Sequence, residues 1–414
     1  MFRSIVSTYR DAFSGLNRAV WMLSIASLIN RSGTMVMPFL VLFLTSRRGF
    51  TATEAGQALA LYGLAAMAAS YLGGRLSDRF GPIAVMKSSL LLTGVCFLVL
   101  GAMHGRLAIS ALIFLLGLVG ELFRPANLAA LTAVSTQEDR ARSFGLLRLA
   151  VNLGMALGPT VGGFLAFYDY LWLFVVDGVT CILSAILLQR AFPRGLSAAS
   201  AAARRAGAGG TPPPARSPFH DRVFLVMMAL LFVMNLVTFQ ITSTFPLSLR
   251  DLYGFSEARI GMVMAVNALI IVLFEMVLVH RLAGRDPVRV TGVGAFLFCL
   301  GFSLLPLGST FAFAAFTVVI WTMGEMLAFP MVTTASANRA PEELQGAYMG
   351  LLNFAFASAF VAAPLAGTWV YVNLGPRTLW FGCGAIGVVV WAGYEALAAL
   401  SRPRAATPAA PREA

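Results

Sequence analysis

The chain has 414 residues, 58% of them hydrophobic and only 12% charged, with a mean hydropathy of +0.80. Soluble domains carry roughly a quarter of charged residues, so a soluble enzyme or binding module is excluded. The formal charge of +12 rests on arginine with a single lysine, Lys87, and forms no basic patch with interleaved aromatics, which excludes a nucleic-acid partner.

In chain order, apolar segments run over about 19–45, 54–74, 83–103, 108–132, 144–167 and 170–190. The last two are split at the Tyr168-Asp169-Tyr170 turn. A second set covers about 223–249, 257–280, 289–307, 311–335, 346–370 and 376–399. Each approaches or exceeds the roughly 20 residues that a helix needs to cross ~30 Å of hydrocarbon. The expected fold class is therefore an all-α membrane protein of twelve transmembrane helices. Residues 1–18 carry Arg3, Arg10 and Arg18, and no A-x-A cleavage site follows, so no cleavable signal is expected.

Basic residues set the expected orientation. With the N-terminus in the cytoplasm, inside segments hold 22 Lys and Arg and outside loops hold 6, a bias that places both termini inside. Residues 191–221 are rich in Ala, Gly, Pro and Arg and read as a cytoplasmic linker. The expected organisation is a six-helix bundle over 1–190, the linker, a second bundle over 222–400, and a disordered cytoplasmic tail over 401–414.

The halves repeat. An offset of 205 pairs Pro125 with Pro330, Gly145 with Gly350, Pro159 with Pro364, and Gly162 with Gly367. With one residue of slippage, Gly120-Glu121 aligns with Gly324-Glu325. Such a parallel duplication places a substrate site between the halves near the midplane.

Two glycine motifs stand out. After the second segment the chain reads Gly73-Gly74-Arg75-Leu76-Ser77-Asp78-Arg79-Phe80-Gly81-Pro82. Gly74 would let a helix approach closely and Gly81 suits a tight turn. In the fifth segment, Gly154-Met155-Ala156-Leu157-Gly158-Pro159-Thr160-Val161-Gly162-Gly163 repeats glycine every four residues, a smooth face for close packing. The first stretch resembles the major facilitator superfamily signature G-x-L-[AS]-D-R-x-G between helices two and three. The second resembles the family's G-x-x-x-G-P-x-x-G-G motif of exporters. The resemblance implies a major facilitator fold of two six-helix halves. It further implies that Asp78, with Arg79 beside it, latches the cytoplasmic face against helix eleven in the outward-open state. The second-half counterpart Arg281-Leu282-Ala283-Gly284-Arg285 has no acid at that position, so the latch is expected to be asymmetric. The family's R-x-x-Q-G motif in helix four is not matched, and Arg124 lies a turn beyond its place.

Charges embedded in apolar sequence carry the functional reading. Arg31, Glu121, Arg124, Glu275, Glu325 and Asp177 all fall inside the segments. A charge in hydrocarbon costs about 2.5–3.5 kcal/mol or more, so each must face a partner or a wet cavity. Glu121 and Arg124, three apart, read either as a static ion pair or as functional groups. Glu325 has no local arginine and is the acid chosen to carry a proton, with Glu121 and Glu275 next. Arg148 and Asn152 lie one turn apart, away from the Gly154 face, and are candidate cavity or proton-coupling residues. Asn30, Asn235, Gln240 and Asn267 are polar points that line a cavity or pack helices.

The isolated cysteines and unclustered histidines offer no metal site, and no cofactor is expected. The expected function is proton-coupled export of hydrophobic or amphipathic small molecules from a bacterial inner membrane, by a monomer whose partners are substrate, protons and the bilayer. A proton symporter or an amphiphile flippase of the same fold stays open. A membrane-embedded enzyme or receptor is the remote alternative, for which no catalytic constellation is present.

Overall fold

The computed structural model describes residues 15–136, 139–193, 218–282, 284–341 and 344–400. Most of the linker expected over 191–221, and the tail expected over 401–414, lie outside the described residues. Among the described residues, twelve helices are long and apolar enough to cross a membrane. They are α1 (Arg18–Arg47), α2 (Ala52–Phe80), α3 (Pro82–Ala102), α4 (Arg106–Val134), α5 (Arg142–Tyr168) and α6 (Leu171–Ala191), followed by α7 (Arg222–Thr242), α8 (Glu257–Glu275), α9 (Pro287–Leu307), α10 (Phe311–Arg339), α11 (Ala347–Asn373) and α12 (Pro376–Leu400). An even number of spans puts both ends of the bundle on one side, here called the terminal face. The opposite side is the far face.

Local chemistry explains the helix ends. Thr51 and Glu54 form a reciprocal capping box at the start of α2, and Asp286 and Thr310 cap α9 and α10 through their side chains. Gly81 takes φ +85°, a conformation open to glycine at no steric cost, and Pro82 then starts α3 at its first position.

Several spans are broken, which periodicity alone does not reveal. The first turns at Gly33–Thr34, between helices Arg18–Ser32 and Val36–Arg47. Asp177 of α6, fully buried, accepts from the N–H groups of Met35 and Val36 at 2.9–3.1 Å. Its carboxylate thus fills the helix N-terminus that the break exposes. The seventh ends at Thr242, and Ser243 separates it from a short helix, Thr244–Asp251. There the buried Gln240 donates to the carbonyls of Leu236 and Ala363 and accepts from Ser243 and Thr244. The fourth breaks between Arg106–Gly120 and Phe123–Val134. In a membrane each freed backbone group needs a partner, and Asp177 and Gln240 supply them at the first and seventh.

The halves meet along two crossings, α5 on α8 and α2 on α11. A Cβ at Gly261 would meet Gly163 Cα at 2.8 Å and the Pro159 carbonyl at 2.9 Å. At Gly56 it would meet the Pro364 carbonyl at 2.8 Å, and the Thr368 side chain as well. The offset of 205 carries Gly56, Pro159 and Gly163 onto Gly261, Pro364 and Thr368, so one crossing is the repeat's image of the other. Further cross-half bonds seal the far face. Tyr170 Oη donates to Glu257 at 2.7 Å, and Arg250 donates to Thr45 and Ser46 at 3.1 and 3.0 Å.

Gly154, Gly158 and Gly162 lie against α1, and their added Cβ atoms would meet Arg31, Thr34 and Met35 at 2.6, 3.3 and 3.0 Å. Gly74 differs from its expected role. A Cβ there meets no described atom within 4 Å, whereas one at Gly73 would meet Pro125 Cγ at 2.5 Å. The close approach of α2 to α4 therefore uses the first glycine of the pair, because the second is turned some 100° around the helix.

Candidate substrate and proton site

A cavity of about 500 Å³ lies between the halves. Of the residues singled out in the sequence, Asn30, Arg31, Glu121, Asn152, Pro159, Asn267, Glu275 and Glu325 line it. Apolar and aromatic walls come from both halves, among them Met37, Phe97, Phe239, Phe245, Met264 and Phe329. Such a surface accepts varied hydrophobic ligands while a few polar groups set orientation.

The two repeated acids occupy matching settings. Glu121 accepts from Tyr62 Oη of α2 at 3.0 Å. Glu325 of α10 accepts from Asn267 Nδ2 of α8 at 2.9 Å, and the same amide donates to Thr322 at 3.0 Å. The donors Tyr62 and Asn267 are 205 residues apart, as the repeat requires. Tyr62 is unmarked in the sequence, because a lone tyrosine inside an apolar segment reads as packing until Asn267 is set opposite it. Neither acid has a cation within ion-pair distance among the described residues.

Glu275 is different. Its carboxylate pairs with Arg148 of α5 across the halves, and Asn152 Nδ2 approaches at 3.4 Å. Arg148 and Asn152 thus form one face, and it meets α8; Asn152 lines the cavity, whereas Arg148 is exposed and reaches it only through Glu275. Arg31 projects into the cavity with no hydrogen bond or ion pair to its guanidinium among the described residues. Asn30 donates to Cys181 Sγ at 3.5 Å.

Two expectations fail. Arg124 is exposed and does not line the cavity. The helix breaks at Glu121–Leu122, so the three-residue spacing no longer puts the two groups on one face, and no Glu121–Arg124 ion pair forms. Asn235 is fully buried inside the second half, away from the cavity, and both of its amide atoms lack partners among the described residues. The repeat partner Asn30 faces the cavity, but α7 turns Asn235 into packing instead.

The Major Facilitator Superfamily profile matches residues 20–364. The chain belongs to this superfamily. The facilitator is 26% identical over 343 residues to the uncharacterized MFS-type transporter YqjV of Bacillus subtilis, covering 81% of this chain and 82% of that one. It is 24% identical over 368 residues to the multidrug resistance protein MdtH of Salmonella newport, covering 86% and 88%. In fold it matches a peptide transporter POT solved with sulfate, at a TM-score of 0.77, 17% identity and 94% and 95% coverage. It also matches the nucleoside transporter NupG, at 0.75, 12% identity and 92% and 100% coverage. This facilitator is thus a multi-pass membrane transporter of small molecules, and not an enzyme.

Proposed function

We propose that this facilitator exports hydrophobic and amphipathic small molecules in exchange for protons, with Glu325 as the proton carrier. The observation that carries this reading is the setting of Glu325. It lines the cavity, it has a neutral amide as its hydrogen-bond partner, and among the described residues no cation lies within ion-pair distance of it. A carboxyl in that position can alternate between protonated and charged forms as the cavity is exposed to each side in turn. The apolar walls and the multidrug name of the MdtH relative support the substrate class.

The protein works as a monomer in a bacterial inner membrane, with the terminal face toward the cytoplasm. In the outward-open state Asp78, with Arg79 beside it in the last turn of α2, latches that face against α11. The arrangement described above, sealed at the far face, is the inward-facing state of the cycle.

The test is uptake into proteoliposomes under an imposed pH gradient. Glu325→Gln, which mimics the protonated acid, abolishes uphill transport and leaves protein abundance near normal. Uphill accumulation by that variant removes Glu325 from the carrier role.

A second reading, proton symport, has its own observation. Arg31 offers the cavity a guanidinium with no ion pair among the described residues, and an anionic substrate bound there would lie among Glu121 and Glu325. Like charges would then favour loading substrate and proton together. The sign of flux under a fixed pH gradient separates the two readings.

A further inference from the structure

The two crossings that join the halves match at the far face and differ toward the terminal face. On the α5–α8 side, Arg148 and Glu275 pair across the halves, and the Glu275 side chain is only 13% exposed. The offset of 205 places Asn353 of α11 and Ser70 of α2 at the corresponding positions. Both are exposed, and Ser70 Oγ donates within its own helix, to the Ala66 carbonyl at 3.0 Å.

The glycines of this second crossing show where contact ends. Gly56 and Gly63 are seven residues apart on one face of α2 and lie against α11; a Cβ at Gly63 would meet the Phe360 and Val361 side chains at 2.9 and 3.0 Å. Gly74, eleven residues further on the same face, meets no described atom within 4 Å. Continuing the antiparallel register of Gly56 with Thr368 and Gly63 with Val361 sets Gly74 opposite Gly350. A Cβ at Gly350 also meets no described atom within 4 Å. The helices are therefore joined near the far face and parted toward the terminal face.

We propose that the Arg148–Glu275 pair makes the opening one-sided. It holds α5 against α8, so substrate reaches the cavity through the slot between α2 and α11. A cross-half ion pair with one partner largely out of water resists separation, since parting it leaves a poorly solvated charge. Ser70 and Asn353, at the corresponding positions of the opposite crossing, carry no charge. Tyr71 and Phe354, 62% and 56% exposed, flank the slot with aromatic surface, which suits the apolar body of an amphiphile. This rests on the cavity being the substrate site, and it fixes the route to that site.

The four native cysteines are buried, so introduced ones can be labelled selectively. Spin labels at Phe144→Cys and Leu278→Cys report on α5–α8, and labels at Tyr71→Cys and Asn353→Cys report on α2–α11. In the full protein in lipid nanodiscs, the α5–α8 separation stays narrow across pH and substrate conditions while the α2–α11 separation shifts by several ångströms. Glu275→Gln broadens the α5–α8 distribution, and the swap of Arg148→Glu with Glu275→Arg narrows it again. A wild-type α5–α8 pair that opens as widely as the α2–α11 pair overturns the proposal, as does a Glu275→Gln distribution equal to wild type. These distances do not depend on proton coupling, so failure of proton-driven flux with the distances intact removes the coupling reading alone.

Discussion

Arg250 donates a hydrogen bond to Thr45 at 3.1 Å, across 205 residues of chain. The two positions are each other's image in the internal repeat, so this bond lies where the pseudo-symmetry axis leaves the far face. Tyr170 and Glu257 add a second bond nearby, and its image, Gly375 with Ala52, can make no such side-chain bond. The far-face seal is therefore symmetric in position and asymmetric in chemistry.

Loosening that seal favours opening at the far face. Tyr170→Phe and Arg250→Ala each remove cross-half hydrogen bonds worth about 0.5–1.5 kcal/mol apiece. That shifts the ratio of the two states roughly two- to tenfold per lost bond. Labelling of a cysteine at Thr45 by a membrane-impermeant thiol reagent rises in the Tyr170→Phe variant. An unchanged labelling rate shows that the bond does not gate the far face.

The glycine crossing is intolerant of bulk. Gly261→Leu drives a side chain into Gly163 and the Pro159 carbonyl, an overpacking cost of about 1–3 kcal/mol or more. Transport is lost, and thermal stability falls. Gly382→Leu is the control, since a Cβ there meets no described atom within 4 Å. Equal activity of the two variants excludes the close crossing as a requirement of the cycle.

Asn235 is a site where the protein gains stability. Its buried amide makes no side-chain hydrogen bond, a burden of about 1–3 kcal/mol. Asn235→Leu keeps the volume and removes the polar atoms. The melting temperature of purified protein rises by a few degrees, and flux stays near wild type because the residue is outside the cavity. A fall in melting temperature means that the amide has a partner in another state of the cycle.

Asp221 ties α7, α10 and α11 together at the terminal face. It caps α7 through Phe224 N–H, and it accepts two bonds from Arg339 at 2.6 and 2.7 Å and one from Tyr348 at 3.2 Å. Burial pushes its carboxyl up, but the Arg339, Phe224 and Tyr348 donors outweigh that and hold it below the ordinary carboxylate value. A depressed carboxylate stabilises the fold above its unfolded value, near pH 4, and that contribution disappears as pH falls through the folded value. Asp221→Asn therefore costs about 1–2 kcal/mol at pH 7, allowing for the part-exposed Arg339. The variant also loses less stability than wild type on acidification below pH 4. Parallel pH–stability curves for the two proteins contradict the assignment.

The spans, the repeat and the two glycine motifs are legible in the sequence, because each follows from local composition or fixed spacing. Hydrocarbon thickness sets the length of an apolar segment, and an offset of 205 is visible without any structure. The same offset would have disclosed Tyr62 as the counterpart of Asn267. Which embedded charges meet was decided only by the tertiary structure. Helical periodicity assigns a side chain to a face, but it does not say which helix that face meets or whether the helix is continuous. The break at Glu121–Leu122 turned Arg124 out of the cavity. The break at Gly33–Thr34 claimed Asp177 as a cap. The crossing of α5 with α8 gave Glu275 to Arg148. Glu325 was left beside a neutral amide because α10 runs unbroken past it and, among the described residues, no neighbouring helix brings a cation within ion-pair distance.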